Sequence, residues 1–359
     1  MSDLHLGTVA ERDLARGPEG LERLANALED AEQVVLLGDL LELRERPIGV
    51  LLERARPVLE RVGRAAAGKR LIIVPGNHDH HLAGPWLSRA RLEPGGLQAE
   101  SLWPVGPDDG EAGRIGRWMP EVEVVVAYPG LWLRDDVYAT HGHYLDLHLT
   151  VPRIESVAAS LMGRLSGLGQ ECRSPADYET VLAPLYELMY GLAQGRSGEA
   201  LLHRGGQVSR TVWRRVDGRS EHRLAGFLLG RVTIPAAVLI LNRIGVGPFS
   251  PRLNGPELRR SGLRAMAAVV HGLGVEAEHV LFGHTHRAGP MPGDDRSEWI
   301  AAGGTRLWNT GSWLHEPVFL DGNPANPYWP GTVVYLSDEG EPELRNVLRD
   351  VALPPVRTS

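Results

Sequence analysis

The sequence predicts an α/β protein in which short apolar strands alternate with helices. With 359 residues, 43% hydrophobic and 23% charged, the chain can bury one large core or two smaller ones. Apolar runs at 34–37 and 71–74 have the length of buried strands, and a helical pattern precedes each. Both runs end in turn residues followed by polar side chains. This is typical of layered sheets whose ligands lie beyond the carboxyl ends of the strands.

The elements can be assigned in order along the chain. The leucine spacing predicts a helix over 19–31, before the strand at 34–37. A second helix is predicted over roughly 47–67, before the strand at 71–74. Residues 82–120 are rich in Gly, Pro and Trp and predict a surface loop with one short helix at most. Further strands are predicted at 122–127, 137–140, 279–282, 308–312 and 331–336.

Side chains that can bind metal ions recur where the predicted strands end. In an extended segment Asp3 and His5 point to the same side, and so do His284 and His286. Seven oxygen and nitrogen donors without sulfur suit two borderline divalent ions, provided that one carboxylate bridges them. The seven candidate ligands are Asp3, His5, Asp39, Asn77, His141, His284 and His286, with His78 and His143 beside them.

Five short motifs carry these residues, in the order Asp3-Leu4-His5, Gly38-Asp39-Leu40-Leu41-Glu42, Gly76-Asn77-His78-Asp79, His141-Gly142-His143 and Gly283-His284-Thr285-His286. Together they resemble the calcineurin-like metallophosphoesterases, over residues 1–151 and 256 to about 347. The resemblance implies a four-layer sandwich of two mixed β-sheets flanked by helices. It also implies a metal-dependent hydrolase of phosphoester bonds.

The same resemblance implies two divalent metal ions with Asp39 as the bridge, and the ligand types suit Mn, Fe and Zn alike. The ligands implied for the first ion are Asp3, His5, Asp39 and His286, and those for the second are Asp39, Asn77, His141 and His284. His78 would stand off the metals, near the substrate. The residue three positions after Asp39 varies in the family, so Glu42 receives no role.

One departure from the family concerns the first residues. Family members normally carry an apolar strand directly before the Asp-x-His pair, whereas this chain begins with Met1-Ser2. Without a central strand, backbone groups on its neighbours would lack partners, which is unfavourable. We expect a start codon that was assigned too late; the alternative is that another segment fills the slot.

The expected reaction is in-line attack on phosphorus by a hydroxide that bridges the two ions. His78 would stabilise the phosphoryl oxygens or protonate the leaving oxygen. Asp79 either orients His78 or bonds the backbone of its own turn. His143 is either a supporting or substrate contact, or a polar turn residue.

An inserted helical cap is predicted over 152–255, between core segments 1–151 and 256–350, with a tail at 351–359. Its helices are predicted at 153–168, 176–194, 199–216 and 224–244. The insertion has 13 Arg and 8 acidic residues, a balance of 13 − 8 = +5, whereas the remainder has 25 basic and 37 acidic residues, or −12. The basic cluster supplies the candidate substrate-binding residues Arg210, Arg214 and Arg215.

The apolar run 224–241 directly follows this basic cluster. A basic stretch beside an apolar one is typical of contact with an anionic lipid surface, so peripheral membrane contact through 210–246 is one interpretation. A buried cap helix and a membrane-spanning helix are the alternatives, although Arg231 and Pro235 lie inside the run. An apolar cap beside a two-metal site resembles, by architecture alone, the UDP-diacylglucosamine pyrophosphatases.

These observations indicate an enzyme that hydrolyses phosphoric esters or pyrophosphates, with a nucleotide, another small phosphorylated molecule or a lipid-linked phosphate as substrate. A nuclease of the same superfamily is an alternative, which the net charge of −7 disfavours. A non-catalytic interaction module on this fold is another alternative. Such a module is expected to have lost metal ligands, and none of the seven is missing from this sequence. The single cysteine and the lack of a signal-peptide pattern favour the cytoplasm, with membrane association as a further expectation.

Overall fold

The computed structural model describes residues 1–90, 96–195, 234–250 and 255–353. The chain divides into two compact units, one of Met1–His143 with Glu276–Ser359 and one of Tyr144–Val275. The candidate residues Arg210, Arg214 and Arg215 and the predicted helix over 199–216 lie outside the described residues. A cap role for 152–255 stays a prediction.

The first unit contains a seven-stranded mixed sheet. Its strands are β1 (Gln33–Leu37), β2 (Arg70–Val74), β3 (Glu100–Pro104), β4 (Glu123–Arg134), β5 (Val137–Thr140), β6 (His279–Phe282) and β7 (Arg306–Asn309). Their order is β1-β2-β4-β5-β6-β7, and β3 pairs with β4. Strands β1, β2 and β4 are parallel, as are β5, β6 and β7, whereas β4 and β5 are antiparallel. The carboxyl ends of β1, β2, β5 and β6 are followed by the candidate metal ligands.

A second, two-stranded antiparallel sheet consists of β8 (Thr332–Tyr335) and β9 (Glu343–Asn346). Val334 and Leu344 of this sheet pack against buried residues of the large sheet, among them Leu37, Ile72 and Leu281. The helices of this unit are α1 (Pro18–Glu29), α2 (Ile48–Ala65), α3 (Gly84–Ala90) and α4 (Gly110–Arg117). The predicted α/β sandwich is therefore confirmed.

Most predicted strands form within a few residues of the expected bounds, but the prediction for 82–120 was wrong. This segment contains α3, β3 and α4 instead of a loop with one short helix. Trp86 of α3 and Trp103 of β3 stack with ring centroids 5.8 Å apart, and Trp86 is buried. The Gly and Pro content obscured apolar positions that tertiary contacts bury.

The second unit is helical in its described part, with α5 (Ile154–Ser166), α6 (Pro175–Gln194), α7 (Ile234–Arg243) and α8 (Gly255–Gly272). Tyr144 and Tyr178 stack with centroids 4.5 Å apart, and the Tyr144 hydroxyl donates to Glu179 Oε1 at 2.7 Å. Within the described ranges, no helix has both the length and the apolar character needed to cross a bilayer.

Candidate metal centre

The seven predicted metal ligands come together at one edge of the large sheet. Residues 1–6 run beside β1, because Leu37 N–H donates to Met1 O and the N–H groups of Asp3 and His5 donate to Gly38 O and Asp39 O. Loops after four strands bring in the remaining five: Asp39 after β1, Asn77 after β2, His141 after β5, and His284 and His286 after β6. The ligands are buried except for the half-buried His284 and His286.

The backbone is strained at this edge. Five candidate ligands have positive φ angles, which L-residues with a Cβ adopt at a cost of roughly 1 kcal/mol or more. They are Asp3 (54°), His5 (45°), Asp39 (48°), His284 (65°) and His286 (61°), and in the described part of the chain only Glu11 joins them among non-glycine residues. Such strain is typical of functional sites, because the surrounding fold must enforce it.

Two glycines permit this close packing. Gly38 has a φ of 89°, and a Cβ at this position would overlap the ring of His141. A Cβ at Gly76 would lie 2.7 Å from His141 Nε2 and would also overlap Asp39 Oδ1. The glycines of the motifs therefore provide the space in which the ligand side chains approach one another.

One group of potential ligands consists of Asp3, His5 and His286. His5 Nε2 lies 3.2 Å from His286 Nε2, and Asp3 Oδ1 lies 3.3 Å from His286 Nε2. Two nitrogen ligands about 2.1 Å from one ion are about 3.2 Å apart at an angle of about 100°. Asp3 Oδ1 is buried and makes no hydrogen bond within standard geometry, as a metal-binding oxygen would. This group therefore fits a divalent ion.

The ring orientations support the same interpretation. His5 Nδ1 lies 2.9 Å from Glu42 Oε2, and His286 Nδ1 lies 3.2 Å from Glu316 Oε2. If each ring donates its Nδ1–H to the carboxylate, the two Nε2 lone pairs face each other. A cation between them relieves this repulsion, and a carboxylate on the far nitrogen is the usual support of a metal-binding histidine.

A second group consists of Asp39, His141 and His284. His141 Nε2 lies 3.2 Å from Asp39 Oδ2, while its Nδ1 lies 3.0 Å from Leu37 O. One end of the Asn77 side-chain amide lies 3.1 Å from His284 Nδ1 and 3.2 Å from Asp39 Oδ2. The donors are oxygen and nitrogen only, which suits the same borderline ions as the first group.

Asp39 lies between the two groups. Its Oδ2 is 3.7 Å from His5 Nε2 and 3.2 Å from His141 Nε2, so one carboxylate oxygen faces a histidine of each group. Its Oδ1 accepts the backbone N–H of His78 at 2.8 Å, which fixes the plane of the carboxylate. Asp39 therefore faces both groups, and its role as a bridge between two ions stays a prediction.

The pKa shifts indicate that the buried carboxylates of the site favour positive charge beside them. Burial alone would raise the pKa of Asp39, but the charges on His141 and His78 lower it well below its ordinary value. Burial alone would lower the pKa of His141, yet Asp39 and Asp3 raise it to about 9. In the same way, Asp3 and Glu316 overcome burial and raise the pKa of His286 to about 10. Bound divalent ions would displace these protons, because ligating imidazoles are neutral.

Glu42 is a functional candidate that the sequence analysis passed over. Its buried carboxylate contacts two rings, with Oε2 at 2.9 Å from His5 Nδ1 and Oε1 at 2.7 Å from His78 Nδ1. Burial alone would raise its pKa, but the charge on His78 and the hydrogen bonds from both rings lower it. The available signal was its position in the motif, three residues after Asp39, which was treated as variable.

Of the two roles expected for Asp79, its contacts favour bonding to the backbone, and the orientation of His78 stays a prediction. Asp79 Oδ2 accepts the N–H groups of Leu40 and Leu41, and Oδ1 accepts that of Gly76. The contact with Gly76 lies within the turn of Asp79 itself, whereas those with Leu40 and Leu41 join the loops after β1 and β2. Burial and the charge on Asp39 raise the pKa of Asp79 to about 6.

His143 lies beneath the site and is 1% exposed. Its Nε2 lies 3.0 Å from the hydroxyl of Tyr128, and its ring lies 5.5 Å from that of His141. Burial and the charge on His141 lower its pKa well below the ordinary value, so the ring is neutral. This position favours the supporting role over direct substrate contact, which stays a prediction.

A further group of potential ligands, Asp136, Glu278 and His279, lies elsewhere and does not suit a metal. Trp308 Nε1–H donates to His279 Nδ1 at 3.0 Å, so the neutral ring carries its proton on Nε2 and has no lone pair there. Both carboxylates already accept hydrogen bonds from arginine side chains. We interpret this group as surface ion pairs.

Comparison with known families agrees with this geometry. A sequence model described as Metallophos, the calcineurin-like phosphoesterases, matches residues 1–182, just over half of the 359 residues. None of the curated proteins matches the chain. The matched range carries four of the five motifs, and the fold brings the fifth, with His284 and His286, to the same site. The family consists of metal-dependent hydrolases of phosphoester bonds that typically use two divalent ions. The chain belongs to the calcineurin-like phosphoesterase family.

Proposed function

We propose that this chain is a two-metal hydrolase of phosphoric esters or pyrophosphates, with Asp39 as the ligand shared by both ions. The observation that carries the proposal is the position of Asp39 Oδ2, which faces His5 Nε2 at 3.7 Å and His141 Nε2 at 3.2 Å. The first ion would be held by Asp3, His5, Asp39 and His286. The second would be held by Asp39, Asn77, His141 and His284.

When bound, two divalent ions lower the pKa of water and neutralise charge on the phosphoryl group, so that hydroxide can attack phosphorus in line. The ligands come from loops at one edge of the sheet, and the surrounding fold holds their strained backbones in place before substrate arrives. The carboxylates and the backbone carbonyl on the Nδ1 atoms of His5, His141 and His286 keep each Nε2 directed into the site.

His78 is the catalytic candidate that is open to substrate. Its side chain is 26% exposed, its Nδ1 is fixed by Glu42, and its Nε2 lies 4.0 Å from Asp39 Oδ2. A proton on Nε2 can be donated to a phosphoryl oxygen or to the leaving oxygen.

A His78→Ala variant tests this assignment. We expect unchanged metal content and a fall in kcat of about 100-fold on a generic phosphodiester, which is the range of general acid catalysis. His81→Ala is the matched control, since His81 lies in the same segment, is 39% exposed and has Glu111 at 3.7 Å. Unchanged turnover of His78→Ala would show that His78 is not catalytic.

A lipid-linked substrate is a second candidate, and the surface of the second unit favours it. Seven of the ten large hydrophobic side chains that are exposed in the described residues lie in this unit. They are Ile154, Leu161, Leu165, Leu188, Leu239, Ile240 and Ile244. Val238 of α7 packs against Val246 and Phe249, while Leu239 and Ile240 are 68% and 60% exposed. Exposed apolar side chains in a unit whose sequence also contains a basic stretch suit an anionic lipid surface.

Sedimentation with phosphatidylglycerol vesicles tests this candidate. We expect the protein to sediment with anionic vesicles and not with neutral ones, and a Leu239→Gln/Ile240→Gln variant to lose binding. Val50→Gln is the control, because Val50 is 51% exposed on α2 of the other unit. Hydrolysis of a lipid-linked pyrophosphate in detergent, compared with nucleotides and cyclic nucleotides, identifies the substrate class. Binding that is equal for the variant and the wild type would refute the lipid contact.

The alternatives of a nuclease and of a non-catalytic module make different predictions. A nuclease should bind single- or double-stranded DNA with a steep salt dependence, which the net charge of −7 opposes. A non-catalytic module should show no metal-dependent turnover on any ester.

A further inference from the structure

We propose that the hydroxyl groups of Thr310 and Ser2 form a relay that positions Asp3 as a one-oxygen ligand of the first ion, an inference that rests on the proposed function. Ser2 directly precedes Asp3 in the chain, and Thr310 directly follows β7. The two residues are 0% and 1% exposed. Ser2 Oγ contacts Asp3 Oδ2 and lies 2.5 Å from Thr310 Oγ1. Neither residue belongs to the five motifs.

Each hydroxyl has one proton, and this fixes the direction of the relay. An ionised carboxylate can only accept, so the contact between Ser2 Oγ and Asp3 Oδ2 requires the Ser2 proton. The contact between the two hydroxyls then requires the proton of Thr310, which donates to Ser2 Oγ. Two backbone carbonyls, Gly311 O and Phe282 O, also lie near the hydroxyls, but at the longer distance of 3.2 Å. The donors therefore follow one order, from Thr310 through Ser2 to Asp3.

The two oxygens of the Asp3 carboxylate have different surroundings. Oδ2 accepts from Ser2 Oγ and from the backbone N–H of His284 at 3.1 Å. Oδ1 instead lies 3.3 Å from His286 Nε2, within the first group of potential ligands. Two donors on Oδ2 stabilise negative charge there and oppose rotation of the carboxylate, so Oδ1 is the oxygen directed to the ion. The relay thus determines which oxygen of Asp3 binds.

A hydroxyl pair at this depth is unfavourable for packing alone. Buried hydroxyls cost free energy unless they are hydrogen-bonded, whereas valine and alanine would fill the same space without partners. In a chain of hydrogen bonds each donor polarises the next, so Thr310 strengthens the bond from Ser2 to Asp3 without touching Asp3. A Cβ at Gly283 would overlap both Ser2 Oγ and Asp3 Oδ2, so this glycine provides the space for their contact.

Mn²⁺ binding to the metal-stripped protein tests the relay. Ser2→Ala removes the donor to Asp3, Thr310→Val removes the distal hydroxyl at nearly constant volume, and the double variant completes a double-mutant cycle. The dissociation constants of both ions are obtained from the electron paramagnetic resonance signal of free Mn²⁺. The matched control is the pair Ser261→Ala and Thr150→Val, whose hydroxyls lie 2.8 Å apart in the other unit.

We expect Ser2→Ala to raise the dissociation constant of one ion by about tenfold or more, as is found for residues that support a metal ligand, and to leave the other nearly unchanged. Thr310→Val should raise the same constant by less, and Thr310→Ser should restore the wild-type value because it returns the hydroxyl. In the Ser2→Ala background, Thr310→Val should add no further loss, since the relay is already broken. The control variants should bind both ions like the wild type.

Three results would overturn the proposal. Wild-type binding of both ions by Ser2→Ala and Thr310→Val would show that these hydroxyls do not position Asp3. An equal loss of both ions would show general damage to the site instead of an action on Asp3. Additive losses in the double variant would show that the two hydroxyls do not act in series.

Two further comparisons keep the test decisive. If Ser2→Ala does not fold, equal Mn²⁺ binding by Thr310→Val and Thr310→Ser refutes the relay, and weaker binding of one ion by Thr310→Val alone supports it. The readout is metal binding and not turnover. A wild type that binds two ions but hydrolyses no ester would therefore refute the proposed function and leave the relay supported by its own measurements.

Discussion

Replacing Glu42 by glutamine separates the charge of this side chain from its volume. Glu42 is 4% exposed and accepts hydrogen bonds from two rings, at 2.9 Å from His5 Nδ1 and 2.7 Å from His78 Nδ1. A glutamine has one acceptor oxygen and one NH2 group. It can therefore accept from only one ring, and the other ring would face a donor.

The expected loss follows from these two contacts. A hydrogen bond to a charged group contributes about 1.5–3 kcal/mol, and at least one is lost. This corresponds to roughly a 10- to 100-fold fall in kcat/KM, the range found when a carboxylate behind a metal ligand is removed. If the ring of His5 is released, the affinity for one of the two ions should fall as well.

The assay measures kcat/KM on a phosphodiester and metal content by titration, for Glu42→Gln and for Glu45→Gln. Glu45 lies three residues further and accepts from Thr8 Oγ1 and Val9 N, away from the candidate ligands, so it is the matched control. If Glu42→Gln retains kcat/KM within about threefold and binds metal like the wild type, the inference that Glu42 positions the two rings is refuted.

Three further predictions concern stability and metal binding. Asp79→Ala leaves three buried N–H groups without their acceptor and should lower the free energy of unfolding by about 3 kcal/mol, measured in urea; an unchanged midpoint would contradict this. Gly38→Ala forces a Cβ into the ring of His141 and should weaken metal binding, whereas Gly68→Ala, with φ of 75° and open space around it, should bind metal normally. After chelation, thermal stability should fall as the pH rises from about 6.5 to about 9 to 10. His141 and His286 have folded pKa values of about 9 and about 10, above the unfolded value, so their contribution to stability is complete below about 6.5 and is lost as the pH rises through the folded values. A melting temperature that stays constant over this range would show that these rings are not held by carboxylates.

The candidate ligands could be predicted from the sequence because they are local to strand ends. Asp39 and Asn77 each follow a short apolar strand, and parallel strands bring such loops to one edge of a sheet. His284 and His286 alternate in the chain, so one loop delivers both. The order of the motifs then distinguished a metal site from chance polar residues.

The supporting residues could not be predicted in the same way. Glu316 lies 30 residues beyond His286 in the chain and meets it only through the tertiary fold. Glu42 and Arg44 share one loop, yet one contacts two histidine rings and the other contacts Asn77. Sequence spacing does not predict these contact partners, because they depend on which neighbouring loop each side chain reaches. The same holds for Asp79, whose carboxylate accepts hydrogen bonds from backbone N–H groups of the adjacent loop.

The most direct test of the account is the number of ions that activity requires. The protein is stripped with a chelator, Mn²⁺ is added back in measured equivalents, and hydrolysis of bis-p-nitrophenyl phosphate is followed together with bound metal. The account predicts that activity approaches its maximum at two ions per chain. It also predicts that Asp39→Asn lowers the affinity for both ions and abolishes turnover. Full activity with one ion per chain, or after complete removal of metal, would contradict a site in which Asp39 bridges two ions.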